Sequence, residues 1–123
     1  MAKILVADDE AGVREFVERA LATKGHVVTA VSDGSEALMA LARSDFDILL
    51  TDIRMPVMDG VELALAVTKN HPTMPILMMT GFADERERAY NLDQLICDVV
   101  AKPFDLATIC SKIEKALAAA SKS

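Results

Sequence analysis

Short apolar runs of the sequence are followed by five polar residues whose side chains can bind a metal ion or a phosphoryl group. Each run has the length and composition of a buried strand. A charged group where such a strand ends needs a partner, because burying an unpaired charge is costly. The five residues are Asp8, Asp9, Asp52, Thr80 and Lys102.

If the strands run parallel, these side chains share the carboxyl edge of one sheet, where open α/β sheets place their ligands. Clustered carboxylates repel, and a hard divalent cation such as Mg²⁺ relieves that repulsion through oxygen ligands. Lys102 suits a phosphoryl oxygen as a point charge, and Thr80 can donate a hydrogen bond to another. An aspartate such as Asp52 can attack phosphorus and form an acyl phosphate.

Each of these residues also has a simpler structural interpretation. The run Asp8-Asp9-Glu10 could cap the first helix, since acids favour helix amino ends. Thr80 could be a turn residue, and Lys102 could be solvated. Arg54 lies two residues beyond Asp52 and could tune the access of water or point to solvent. The convergence of all five residues on one edge favours a functional site.

The elements that must position these residues alternate regularly. Apolar runs predict strands at 4–7, 27–31, 46–51, 76–79 and 97–101. Helical periodicity predicts helices over 13–21, 37–42 and 61–69, a fourth from Asp84 through Tyr90 and Leu92, and a last one from Asp105 to about Ala120. This pattern predicts an α/β fold with a parallel sheet covered on both faces. We expect one domain over 1–120 and a polar tail at 121–123.

Composition excludes several classes of protein. The 123-residue chain has a net charge of -6 and no Lys/Arg-rich run, so it has no electrostatic footprint for nucleic acid. No apolar run approaches the length of a membrane span, and the start leaves no room for a signal peptide. Cys97 and Cys110 are expected to be free, buried thiols. These features predict a cytoplasmic protein.

Four motifs together resemble the receiver domain of bacterial two-component response regulators. They are Ile4-Leu5-Val6-Ala7-Asp8-Asp9-Glu10, Thr51-Asp52-Ile53-Arg54-Met55-Pro56-Val57-Met58-Asp59-Gly60, Met79-Thr80-Gly81 and Ala101-Lys102-Pro103-Phe104. The resemblance covers nearly the whole chain. It implies a flavodoxin-like (βα)₅ three-layer sandwich with a five-stranded parallel sheet in the order 2-1-3-4-5.

The resemblance also implies a role for each site residue. Asp52 would accept a phosphoryl group from the phosphohistidine of a histidine kinase or histidine phosphotransfer protein. Thr80 would be the switch hydroxyl and Lys102 the phosphoryl contact, preceding a cis peptide bond to Pro103. The implied Mg²⁺ ligands are Asp9, Asp52, the backbone carbonyl of Arg54 and, through water, Asp8.

The chain departs from the family pattern at Val99. An aromatic residue usually occupies that place, three positions before the lysine, so the relay of phosphorylation to the surface is open. A downstream protein is expected on the face formed by the fourth helix, the fifth strand and the last helix. The segment 79–89 is also similar to stand-alone CpdR-type receivers, which control regulated proteolysis.

The leading hypothesis is therefore a single-domain response regulator that works as a binding switch and not as an enzyme. A phosphorelay carrier, which passes the phosphoryl group to another histidine protein, is the alternative. An aspartyl phosphatase would need an acid two residues after the nucleophile, where Arg54 stands. A flavodoxin-like electron carrier would need aromatic residues against its flavin, and the chain has only 4%.

Overall fold

A five-stranded, all-parallel sheet forms the centre of the computed structural model, which describes residues 2–81, 92 and 95–121. Helices pack on both of its faces, and none of the helices described combines the length and apolar character of a membrane span. The elements in chain order are β1 (Lys3–Ala7), α1 (Ala11–Ala22), β2 (Val27–Val31), α2 (Gly34–Arg43), β3 (Ile48–Asp52), α3 (Gly60–Asn70), β4 (Ile76–Thr80), β5 (Asp98–Ala101) and α4 (Leu106–Ser121).

The strand order is β2-β1-β3-β4-β5, which confirms the predicted topology. The register pairs Ala7 with Thr51 across β1 and β3, and Asp52 with Met79 across β3 and β4. All five residues of β3 and of β4 are buried, as expected of inner strands in a parallel sheet. The carboxyl ends of β1, β3, β4 and β5 therefore lie together at one edge.

Two hydrophobic clusters, one on each face of the sheet, make up the core. Alternate residues of β1 divide between them: Ile4 and Val6 belong to the first cluster, and Leu5 and Ala7 to the second. The first cluster includes buried residues of α1 and α4, and the second includes buried residues of α2 and α3. This division follows from the two-residue period of a strand, and it produces the three layers predicted.

Several boundaries differ from the prediction. β3 begins at Ile48 and includes Asp52, and β4 includes Thr80, so these polar residues are the last members of their strands. Neighbouring strands hold this edge: Ile53 N donates to Met79 O, and Lys102 N donates to Thr80 O. The predicted fourth helix lies outside the described residues except for Leu92, which lies in a turn.

The C-terminal part of the chain brings further corrections. α4 extends to Ser121, so the expected polar tail begins inside a helix. Asp105 caps this helix, because its Oδ1 accepts a hydrogen bond from Thr108 N. Leu106 occupies the first turn next to that cap and is 43% exposed, although it is apolar. Cys97 is exposed just before β5, whereas Cys110 is buried as expected.

A side chain occupies one backbone amide of the edge strand β5. Asp98 Oδ1 accepts a hydrogen bond from Val99 N at 2.7 Å, and Asp98 Oδ2 lies 2.9 Å from Lys112 Nζ on α4. The amide of Val99 is therefore engaged by a side chain rather than by a neighbouring strand.

The loop between β3 and α3 is held tightly at its end. Asp59 and Glu62 form a capping box at the start of α3. Gly60 N donates to Ile53 O at 2.9 Å. A Cβ atom at Gly60 would collide with the backbone carbonyl oxygen of Asp52, so only glycine permits this approach.

The same loop contains a strained residue. Val57 has a φ of 70°, and Met58 N donates to Pro56 O at 2.7 Å across it, which forms a γ-turn. A β-branched side chain is disfavoured at positive φ, whereas asparagine adopts this region more readily. The side chain of Val57 is 82% exposed, so little packing compensates for the strain.

We expect Val57→Asn to raise the free energy of unfolding by about 0.5–1 kcal/mol, because it relieves backbone strain without removing a buried contact. Urea denaturation measures the change. Val27→Asn is the matched control, because Val27 is also exposed but lies in a strand, where asparagine is disfavoured. A loss of stability in Val57→Asn equal to that in the control would contradict this account.

Candidate functional site

Lys102 lies between two buried carboxylates at the carboxyl edge of the sheet. Its Nζ is 2.8 Å from Asp8 Oδ2 and 3.3 Å from Asp52 Oδ2. Asp8 is fully buried, and Asp52 is 5% exposed. One ammonium group therefore contacts acids from the ends of two adjacent strands, which brings together three of the residues singled out by the sequence.

Backbone groups hold Asp8 in place beyond the end of β1. Its amide donates to Val31 O at 3.1 Å, and its Oδ1 accepts from Glu10 N at 2.9 Å. Arg14 Nη1, on the first turn of α1, donates to the carbonyl oxygen of Asp8 at 2.7 Å. Glu10, the residue that precedes α1, makes no side-chain capping hydrogen bond to this helix. The acidic run therefore does not cap α1 through a hydrogen bond from its last side chain.

Asp52 combines burial with two favourable contacts. Its Oδ1 accepts a hydrogen bond from Ile53 N at 3.0 Å, and its Oδ2 faces Lys102. Burial, followed by the nearby Asp8 carboxylate, raises the pKa of Asp52 to about 6, and Lys102 and the Ile53 amide only partly oppose this rise. At neutral pH the side chain is still mainly a carboxylate, which is the nucleophilic form.

Lys102 remains a cation despite its partial burial. Burial alone would lower the pKa of Lys102, but the contacts with Asp8 and Asp52 outweigh this effect and raise it. The backbone of Lys102 is fixed by its hydrogen bond to Thr80 O at 2.7 Å. The Lys102–Pro103 bond is cis, as the resemblance implies.

Thr80 carries a buried hydroxyl that lacks a hydrogen-bond partner among the described residues. The residue is 1% exposed and ends β4, the strand beside β3. Leaving a buried hydroxyl unsatisfied costs about 1–3 kcal/mol, so such a group needs an explanation. A phosphoryl oxygen arriving at this edge of the sheet is a suitable acceptor for it.

The acidic run after β1 has the donor set of a divalent cation site. Asp8, Asp9 and Glu10 each offer a carboxylate oxygen, and these atoms all lie within 4.8 Å of one another. Asp9 and Glu10 are exposed, whereas Asp8 is buried. Carboxylate oxygens are the ligands that Mg²⁺ prefers, and an exposed side leaves room for its waters. The residues present therefore fit the implied ion.

Three residues near the site add to what the sequence analysis predicted. Glu10 was not among the predicted ligands, although it belongs to this acidic group and lies 3.7 Å from Lys102 Nζ. The sequence feature that could have identified Glu10 as a site residue is its place in the Asp-Asp-Glu run. Arg54 is exposed beyond the end of β3. Val99, in the place of the usual aromatic residue, is 5% exposed and packs in the second core cluster.

Comparison with known proteins agrees with this geometry. The family model described as response regulator receiver domain matches residues 4–114. The chain is 39% identical over 120 residues to the response regulator receiver protein CpdR of Brucella abortus, covering 98% of this chain and all of that protein. It is 38% identical over 114 residues to the DNA-binding transcriptional regulator NtrC of Salmonella typhimurium, covering 93% of this chain but only 24% of that protein's length.

Solved structures share the fold across nearly the whole chain. The chemotaxis response regulator CheY4 of Vibrio cholerae superposes with a TM-score of 0.86 at 30% identity, covering 94% of this chain and 98% of that one. A CheY-like receiver domain protein of Methanospirillum hungatei superposes with a TM-score of 0.91 at 26% identity, covering 99% and 98% of the two chains. The chain belongs to the response regulator receiver domain family of two-component systems.

The raised pKa of Asp52 predicts how stability depends on pH. The folded-state value of about 6 exceeds the ordinary value of 3.8, so the folded protein binds more protons than the unfolded chain between them. The contribution of Asp52 to stability is therefore more favourable below pH 4 and is lost as pH rises through about 6. In metal-free protein at pH 7, we expect the free energy of unfolding of Asp52→Asn to be about 1–3 kcal/mol higher than that of wild type.

Urea titrations in chelator across pH 4–7.5 measure this difference. It should shrink toward the acid end, where the wild-type carboxyl is protonated and resembles the amide. A difference that is constant with pH, or of the opposite sign at pH 7, would contradict the proposed environment of Asp52.

Proposed function

We propose that this chain is a phosphorylation-controlled binding switch in which Asp52 is the phosphoacceptor. The phosphoryl group comes from the phosphohistidine of a histidine kinase or a histidine phosphotransfer protein. The observation that carries the proposal is the placement of one ammonium, that of Lys102, against two buried carboxylates at the end of adjacent strands. That arrangement matches what phosphoryl transfer needs, namely a nucleophile with positioned charge around it.

The chemistry divides among the chain's own residues. A carboxylate oxygen of Asp52 attacks phosphorus while the bond between phosphorus and the imidazole nitrogen breaks. The imidazole keeps the electron pair of that bond and takes up a proton, and the product on Asp52 is an acyl phosphate. Lys102 offers its ammonium to one phosphoryl oxygen, and Thr80 offers its buried hydroxyl to another.

Mg²⁺, when bound, would neutralise charge on the carboxylates and on the phosphoryl oxygens. We assign its ligands as Asp9, Asp52 and the backbone carbonyl of Arg54, with Asp8 acting through water. Two observations support this assignment. Carboxylate oxygens cluster after β1, and Asp52 contacts the same Lys102 ammonium as Asp8, a member of that cluster. Gly60 helps to set the loop that carries Arg54, through its contact with Ile53 O. The side chain of Arg54 is a further candidate for tuning the access of water.

The output of the switch is proposed to lie on the face that includes β5 and α4. Lys102 N donates to Thr80 O, so a displacement of Thr80 toward a phosphoryl group would also pull on the end of β5. This route through the backbone does not need the aromatic residue that Val99 replaces. A downstream protein that reads this face, without direct contact to nucleic acid or membrane, completes the proposal.

The similarity to CpdR over that protein's whole length supports a receiver that acts through a protein partner, with regulated proteolysis as the narrower proposal. The domain is proposed to span 1–120. The cytoplasm is the compartment proposed, and the free thiols of Cys97 and Cys110 fit a reducing environment. A phosphorelay carrier would use the same site and differ in passing the phosphoryl group onward.

Incubation with acetyl phosphate and Mg²⁺, followed by intact-mass measurement, tests the phosphoacceptor. We expect one added phosphoryl group that is labile to base, because acyl phosphates hydrolyse readily, and none in Asp52→Asn. Asp45→Asn is the matched control, since Asp45 is an exposed acid before β3, and it should be labelled like wild type. Labelling of Asp52→Asn to the wild-type extent would refute the assignment.

A further inference from the structure

Lys102 has a third carboxylate neighbour that the proposed phosphoryl chemistry does not use. Glu10 Oε1 lies 3.7 Å from Lys102 Nζ, farther than the nearest oxygens of Asp8 and Asp52. The side chain of Glu10 is 67% exposed, whereas that of Asp8 is fully buried and that of Asp52 is 8% exposed. The ammonium thus has two inner partners and one outer partner.

The two inner partners also belong to the metal site of the proposed function, Asp52 as a direct ligand and Asp8 through water. A cation bound near Asp8 and the ammonium 2.8 Å from Asp8 Oδ2 carry the same sign of charge and therefore repel one another. Lys102 must therefore move away from Asp8 when a divalent cation arrives. Its three N–H donors then need acceptors elsewhere, because a partly buried ammonium without acceptors is costly.

Glu10 is built to serve as that acceptor. Its backbone is anchored, since its amide donates to Asp8 Oδ1 and its carbonyl oxygen accepts from Arg14 N. Its side chain makes no capping hydrogen bond to α1, so the carboxylate is left to follow the lysine. A cavity of about 450 Å³ also adjoins Glu10 and Lys102, and Val13, Phe16 and Phe104 help to line it. The ammonium therefore has both an acceptor and the space to shift outward.

We propose that Glu10 is a positioning residue that receives the Lys102 ammonium when Asp8 exchanges it for a divalent cation. This inference rests on the proposed function, because it takes Asp8 to be part of the metal site. It differs from a direct ligand role for Glu10, which the proximity of its carboxylate to those of Asp8 and Asp9 also allows. Under the proposal, Glu10 affects metal affinity only through Lys102.

A double-mutant cycle on Mg²⁺ affinity separates the two roles. Glu10→Asp keeps the charge but shortens the side chain, so the carboxylate no longer reaches the displaced ammonium. Calorimetric titration of metal-free protein with MgCl₂ should give a dissociation constant about two- to five-fold above wild type, the size expected of one exposed ion pair. In a Lys102→Met background, the same Glu10→Asp change should leave the dissociation constant unaltered.

Glu18→Asp is the matched control, because Glu18 is an exposed acid on α1, the helix that follows Glu10. It should bind Mg²⁺ like wild type. An equal loss of affinity from Glu10→Asp in the Lys102→Met background would make Glu10 a direct ligand and overturn the proposal. Wild-type affinity in the single variant would overturn it as well. Absence of Mg²⁺ binding in wild type would instead refute the metal site of the proposed function.

A second measurement covers the case in which Lys102→Met does not fold. In protein labelled with ¹³C-lysine, the ε-carbon resonance of Lys102 should shift on addition of Mg²⁺ as the ammonium changes partners. In Glu10→Asp, at saturating Mg²⁺, we expect the end point of this shift to differ from wild type, because the outer acceptor is out of reach. Identical end points in the two proteins would contradict the transfer to Glu10.

Discussion

The ion contacts of Lys102 with Asp8 and Asp52 are the constraint on which the rest of the structure depends. Two carboxylates buried at adjacent strand ends would repel one another without a cation between them. A single ammonium at 2.8 Å and 3.3 Å balances part of that charge. It leaves a net negative site, which is what a divalent cation requires. The unmodified protein therefore contains an ion contact that the proposed binding of a divalent cation would rearrange.

The fold explains why these groups meet. In a sheet ordered β2-β1-β3-β4-β5, strands distant in sequence become neighbours, so Asp8 and Asp52 converge across more than forty residues of chain. Burial of β3 and β4 on both faces fixes their registers, because sliding either strand by one residue would turn apolar side chains to the wrong layer. The geometry at the edge is thus a product of the two core clusters beneath it.

Much of this was predictable from sequence, because strand runs end visibly in polar residues and parallel topology brings such ends together. The placement of Asp52, Thr80 and Lys102 at one edge was predicted in this way, whereas the strand order was implied by the resemblance to receiver domains. Features that depend on side-chain direction were not. Leu106 is exposed in the first turn of its helix, and the carboxylate of Glu10 lies 3.7 Å from Lys102 Nζ. Neither feature can be predicted from the spacing of apolar residues along the sequence.

The backbone of the β3–α3 loop lay equally beyond sequence reasoning. A turn around Met-Pro and Asp-Gly was evident, but nothing in the residue types indicates that Val57 adopts a positive φ. A valine favours extended backbone, so its conformation must be imposed by the loop around it. The collision that a side chain at Gly60 would cause shows how little freedom the loop has.

The side-chain closure of β5 limits the form that any contact with that edge can take. Because Asp98 engages the Val99 amide and Lys112 holds Asp98, this part of the strand offers no ready amide to an incoming chain. Another polypeptide could not simply extend the sheet there by backbone pairing. A protein that binds this side of the molecule must recognise shape and side-chain chemistry, which ties its selectivity to residues that evolution can vary one at a time.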